Sequence, residues 1–281
     1  MRRHPFFHAV WIATNSLLAA SVLLLLVVVV WEYSTRRYLK GFADAVVPLS
    51  ASPDQKVEAI LNWMERGPAR RPGAVTESLA LRDPNETLNY RQLLRVCGTA
   101  TNAFINLAVS SGLPARRLLL LGPDRRSKHV LAEVRLDGRW VVVDPAYHAL
   151  FRDEQGRFVA RQELMDPRVW REATERIPGY PADYTFERTA HVRLARMPLV
   201  GKLLRRTLDT VLPGWEEIVN WTLVLERESL ALAIVALFLV CIALALRTAL
   251  GWYGERGLGI DRVRLRDQLL RAGEALLTSP R

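Results

Sequence analysis

From Ala9 to Trp31 the chain carries no charged residue, and Leu, Val and Ala dominate the run. About 20 such residues in a helix cross the hydrocarbon core of a bilayer. Trp11 and Trp31 stand at its two ends, where amphipathic rings favour the headgroup layer. A cleaved leader is the competing reading, because Arg2 and Arg3 precede the run and Ala43-Asp44-Ala45 resembles a cleavage site. The run is too long for a leader core, and Arg36, Arg37 and Lys40 intervene before that site. An uncleaved membrane anchor over 9–31 is expected.

A second apolar run extends from Ser229 to Leu246, near the lower limit for spanning. Arg247 can snorkel, and Trp252 and Tyr253 extend the run with an aromatic belt. A buried core helix is the alternative, but the run has no polar face. After it come Arg247, Arg256, Arg262, Arg264, Arg266, Arg271 and Arg281, whereas Glu216, Glu217, Glu226 and Glu228 precede it. The positive-inside rule puts the tail in the cytoplasm, and two spans put the N-terminus there too. The expected layout is a cytoplasmic N-terminus over 1–8, spans over 9–31 and 229–250, and a cytoplasmic tail over 251–281. Residues 32–228 then form an extracytoplasmic domain with its core over 53–150.

The formal net charge is +10, but the arginines are scattered and form no block of five or six like charges. That pattern speaks against nucleic acid as a partner. The only cysteines are Cys97 and Cys241, and Cys241 lies within the second apolar run. A disulfide framework is therefore not expected, and Cys97 reads as a lone thiol. No paired Cys or His spacing calls for zinc, so neither a metal nor a cofactor is expected.

Between the spans, Ser52 is an N-cap candidate, with Pro53 at the first helical position and Gln55 completing a capping box. Val57, Ile60, Leu61 and Met64 continue at helical spacing to about Glu65. Gly67 to Gly73 reads as a loop. A second helix runs from Cys97 to about Ser110, with Cys97, Thr101, Phe104 and Ala108 at three- and four-residue intervals, and Gly112-Leu113-Pro114 stops it. The period then changes. Ala115 to Leu121, Lys128 to Leu136 and Arg139 to Asp144 read as strands, the last two joined by the hairpin signal Asp137-Gly138. Beyond Pro145 the pattern weakens. Leu199 to Leu212 and Asp261 to Leu277 are basic amphipathic stretches, for a membrane surface or the globular domain in the first case and a solvated tail in the second.

A two-residue turn pairs Leu136 with Arg139. Counting outward, Leu131 faces Asp144 and His129 faces Ala146. Alternation then puts His129 and Asp144 on one side of the hairpin as diagonal neighbours. A carboxylate there fixes the imidazole tautomer and stabilises its charged form. Cys97 opens a helix, where the dipole and free N–H groups favour a thiolate. A nearby imidazole lowers its pKa further and can carry a proton to a leaving amine, and the Cys97 N–H can serve an oxyanion hole.

Four motifs occur in order: Cys97-Gly98, Gly112-Leu113-Pro114-Ala115-Arg116, His129-Val130-Leu131-Ala132-Glu133-Val134, and Trp140 through Asp144-Pro145. Over roughly Pro53 to Tyr147 the chain resembles the transglutaminase-like core of the papain-like superfamily, as a bacterial-type membrane-anchored member. The resemblance implies an α+β cysteine-enzyme fold with Cys97 as nucleophile, His129 as general base and Asp144 as the orienting residue. It also implies hydrolysis or acyl transfer at an amide or ester through a thioester. The family often has an aromatic residue where Leu131 stands, a Gly at Val96 and a Thr at Ala146, departures that leave the triad intact and do not define the substrate pocket. Gln92 and Asn89 are candidate oxyanion donors, His148 is a candidate second-layer or substrate residue, and His191 has no such context. The expected partners are the membrane and a protein or peptide-like envelope substrate. The alternative is a non-catalytic module of the same fold in a membrane assembly.

Overall fold

A computed structural model describes residues 5–67, 84–89, 93–192, 200–215 and 221–259. The expected loop beyond Gly67, the candidate Gln92 and the stretch Asp261–Leu277 lie outside them. The chain divides into two compact units, one of Val30–Ala231 and one of Met1–Val29 with Leu232–Arg281.

The larger unit is a mixed α/β fold around one antiparallel sheet of order β4-β3-β2-β1-β5. Its strands are β1 (Ala115–Leu121), β2 (Ser127–Leu136), β3 (Arg139–Asp144), β4 (Ala149–Leu150) and β5 (Thr189–Ala190). Its helices include α2 (Pro53–Arg66), α3 (Pro84–Asn89), α4 (Cys97–Ser110), α5 (Pro167–Glu175), α6 (Val200–Val211) and α7 (Thr222–Glu226). The Ser52 N–H donates to Gln55 Oε1 at 3.0 Å, with Pro53 in the first turn, as the capping signature predicts. Helix α4 ends where Gly112 turns left-handed at φ 84° and the Leu113 N–H returns to the Ala108 carbonyl at 2.9 Å.

The β2–β3 turn places Asp137 at φ 48° and Gly138 at φ 80°, the pair of left-handed residues a type I′ hairpin needs. The ladder has the counted register, from Leu136↔Arg139 to Ala132↔Val143. There it stops, so the expected pairs Leu131–Asp144 and His129–Ala146 are not ladder pairs. Pro145 has no N–H to extend the ladder, and Asp144 pairs instead with Ala149 of β4.

Alternation along β2 and β3 sends side chains into two separate layers. On one face Ala132, Val134, Leu136, Val141 and Val143 pack with α4 and α2. On the other Leu131 and Val142 pack with Leu118, Leu120, Phe151, Phe186 and the residues around α5.

Helix α1 (Pro5–Val46) is longer than the expected anchor. Leu39, Ala43 and Val47, four residues apart, belong to the α4-side core, so the helix continues past Trp31 into the domain. Arg36, Arg37, Lys40 and Asp44 mask that stripe in the sequence. Near its middle Glu32 is buried, accepting from Arg227 Nη1 at 3.3 Å and from Ser229 Oγ at 2.7 Å. Arg227 Nε in turn donates to Asn106 Oδ1 of α4 at 2.7 Å.

In the smaller unit the other main element is α8 (Glu228–Gly257), of which Leu232–Gly257 belong here. Phe7 packs so close to Gly254 that a Cβ there would meet its ring at 2.7 Å, and Arg247 lies over the Trp11 ring. Both α1 and α8 are long and apolar enough to cross a membrane. Only 17 % of the most apolar window of each is buried, which separates them from the core helix of a globular domain.

Candidate active site

Three residues that the sequence singles out meet where α4 begins and the hairpin opens. Cys97 is the first residue of α4, after an extended Val96 that offers no capping side chain. The first N–H groups of a helix have no intrahelical acceptor, and here no N-cap side chain accepts from them. The thiol lies in the field of the His129 imidazole and of the Val130 and Gly98 backbone N–H groups. These groups hold its pKa below the ordinary thiol value, His129 acting most strongly.

His129 is buried at the end of β2, with Nε2 at 2.7 Å from Asp144 Oδ2. That leaves Nδ1 for the thiol. Burial pulls the imidazole pKa down most strongly, but the hydrogen bonds and charges of Asp144 and Cys97 outweigh it and raise the value to about 9. Asp144 is fully buried and held from two sides. Its Oδ1 accepts from the Ala146 N–H at 3.0 Å and the Tyr147 N–H at 3.3 Å. Its Oδ2 accepts from His129 and from the Tyr180 hydroxyl at 3.1 Å. These donors satisfy both oxygens of the buried carboxylate without an arginine beside it.

Tyrosines close the site on the α5 side of the sheet. Tyr184 stacks on the imidazole with ring centroids 4.3 Å apart and planes 17° from parallel. Tyr147 meets the same ring edge-on at 6.0 Å, and Tyr180 packs on Tyr147 at 4.9 Å. Trp170 of α5 fixes the irregular strap over 176–188 from behind, its indole N–H donating to the Tyr184 carbonyl at 3.0 Å. Tyr180 and Tyr184 were not among the sequence candidates. Their only local signal is aromatic residues set in the Pro/Gly-rich stretch Ile177-Pro178-Gly179-Tyr180-Pro181.

The remaining candidates stand apart. His148 lies in the β3–β4 connection at φ 51°, with Nε2 buried and without a hydrogen-bond partner among the described residues. Burial pushes its pKa down. His191 has a context the sequence did not reveal, since its Nε2 lies 2.8 Å from Glu133 Oε2. Glu133 also accepts from Arg116 Nε at 2.7 Å. Asn89 ends α3, half-buried. Among the described residues no group of three or more His, Cys, Asp or Glu side chains is arranged to hold a metal ion.

No curated protein matches the chain, and no solved structure does. Residues 40–145 match the family model of the transglutaminase-like superfamily. The chain is therefore similar to that family from the end of α1 to the end of β3, a stretch that holds Cys97, His129 and Asp144 but neither Tyr180 nor Tyr184.

Proposed function

We propose that the chain is a membrane-anchored thiol enzyme that cleaves or exchanges amide or ester bonds through a thioester on Cys97. The observation that carries this is the His129 imidazole, bound at 2.7 Å to the buried Asp144 carboxylate and acting on the Cys97 thiol at a helix N-terminus. The lowered thiol pKa and the raised imidazole pKa favour a thiolate–imidazolium pair at neutral pH. The thiolate attacks the carbonyl carbon, and the developing oxyanion faces the N-terminal end of α4 and the Cys97 N–H. His129 then gives its proton to the leaving amine or alcohol as the C–N or C–O bond breaks, leaving the acyl group as a thioester. Water or an amine gives its proton back to His129 as it attacks the thioester, and the thiolate departs. Asp144 keeps the imidazole in the required tautomer and supports its charge.

On this proposal α1 and α8 are the two spans, the domain is extracytoplasmic and the N-terminus and tail are cytoplasmic. Its substrates are then peptide or protein bonds of the cell envelope. Protection of the domain from protease added outside intact cells would contradict that orientation.

The experiment is acylation of the detergent-solubilised full chain by p-nitrophenyl acetate. A burst of one p-nitrophenol per chain, with an acetyl adduct mapped to Cys97 and lost in Cys97→Ser, is the expected outcome. No adduct on Cys97 would replace this function with that of a non-catalytic module.

A further inference from the structure

We propose that Tyr180 is a positioning residue that tunes the His129 imidazole through Asp144, and that the strap after α5 is thereby a working part of the site. This rests on the Cys97–His129–Asp144 function proposed above.

Tyr180 Oη and His129 Nε2 share a single acceptor atom, Asp144 Oδ2, at 3.1 Å and 2.7 Å. The other oxygen is occupied by two backbone N–H groups. The carboxylate is therefore gripped by four donors, and the phenol is the one supplied from well beyond residues 40–145. A phenol hydrogen aimed at Oδ2 weakens that oxygen as a partner for the imidazolium, and its positive end lies on the imidazolium's side of the carboxylate. Both effects favour release of the imidazole proton. The release is needed because His129 must act as an acid toward the leaving group, and an imidazolium held too tightly is a poor acid near neutral pH.

The groups facing His129 come from each element packed on it: Asp144 of β3, Cys97 of α4, Tyr147 beyond β3, and Tyr184 of the strap. Asp183 of the strap, ion-paired with Lys128 at 3.3 Å, adds negative charge that reaches Tyr147 and Tyr184. Tyr180 alone among the described tyrosines donates its hydroxyl to Asp144. Its ring is wedged among Tyr147, Phe151 and Tyr184, so Tyr180→Phe keeps the packing and removes only the hydroxyl.

The test needs no knowledge of the substrate. Iodoacetate is an anion whose reaction with a thiolate is assisted by an adjacent imidazolium, so its rate with the full chain in detergent gives a bell in pH. Tyr180→Phe is expected to move the basic limb up by about half to one pH unit, the size expected of one neutral donor on the neighbouring carboxylate. The His129 ring resonances, followed by NMR in the same variant, shift their midpoint in the same direction. A basic limb and a ring titration that both superimpose on those of the parent chain overturn the role of Tyr180. A parent chain that shows no bell at all overturns the thiol–imidazole function itself, so the two failures are distinct.

Discussion

Two carboxylate–imidazole pairs are anchored on the same sheet, His191 standing just beyond β5, and they are built for opposite ends. Asp144 meets His129 at 2.7 Å and Glu133 meets His191 at 2.8 Å, and all four side chains are buried. Glu133 is neutralised by guanidinium groups, Arg116 at 2.7 Å and Arg161 at 3.9 Å. Burial pushes its pKa up, but the His191 hydrogen bond and the Arg116 charge together hold it below the usual carboxylate range. Asp144 accepts only from neutral donors and from one imidazole among the described residues. Its charge is therefore directed at the ring that touches a thiol. An arginine partner makes a carboxylate a structural clamp, whereas a carboxylate held by neutral donors is free to act on the imidazole.

Breaking the Asp144 pair is expected to have the largest effect. Asp144→Asn leaves an amide that does not support an imidazolium, and the acylation rate at Cys97 should fall by about 10²–10⁴-fold. Burst kinetics with the activated ester measure it, and a loss below tenfold would show that the carboxylate is only scaffolding. Breaking the Glu133 pair should do the reverse. Glu133→Gln takes the carboxylate away from the buried Arg116 guanidinium, a loss of about 3–5 kcal/mol when one partner of a buried pair is removed. A large drop in thermal midpoint with acylation per folded chain retained is the expected pair of results.

The pH dependence sharpens the same contrast. The folded His129 value of about 9 lies above the ordinary imidazole value. Its charged form therefore contributes stability in full below about pH 6.5, and that contribution is lost as pH rises through the folded value. Reactivity toward iodoacetate should persist to that limb and fall above it, and a decline centred at the ordinary imidazole value would contradict the pairing. The smallest effect belongs to an exposed carboxylate. Arg139 Nη2 lies 2.9 Å from both Glu163 oxygens in solvent, and Arg139→Ala should change stability by about 0–1 kcal/mol, read from the thermal midpoint.

Much of the Asp144 side of this contrast was legible in the sequence. Asp137-Gly138 sets a hairpin whose register can be counted, and the spacing from Cys97 to Ala108 marks a helix that begins at the thiol. Both are local signals, set by φ preference and by period. The partners of Glu133 were not legible, because His191 reaches it across 58 residues with no local pattern to announce the contact. Tyr180 and Tyr184 were missed for the same reason, as they reach the site from an irregular strap whose shape depends on Trp170 and Phe186. The continuation of α1 into the core was obscured by charged neighbours around Leu39 and Ala43.

On the proposed function, one of the two imidazoles activates Cys97 and the other does not. The direct measurement is the pH dependence of iodoacetamide alkylation at Cys97 in the solubilised full chain, beside His129→Ala and His191→Ala. An ordinary thiol titrates near pH ~8.5, and a thiol paired with an imidazole can titrate several units lower. The prediction is fast labelling well below neutrality that His129→Ala abolishes and His191→Ala leaves in place. Labelling that follows an ordinary thiol in all three chains would contradict the account.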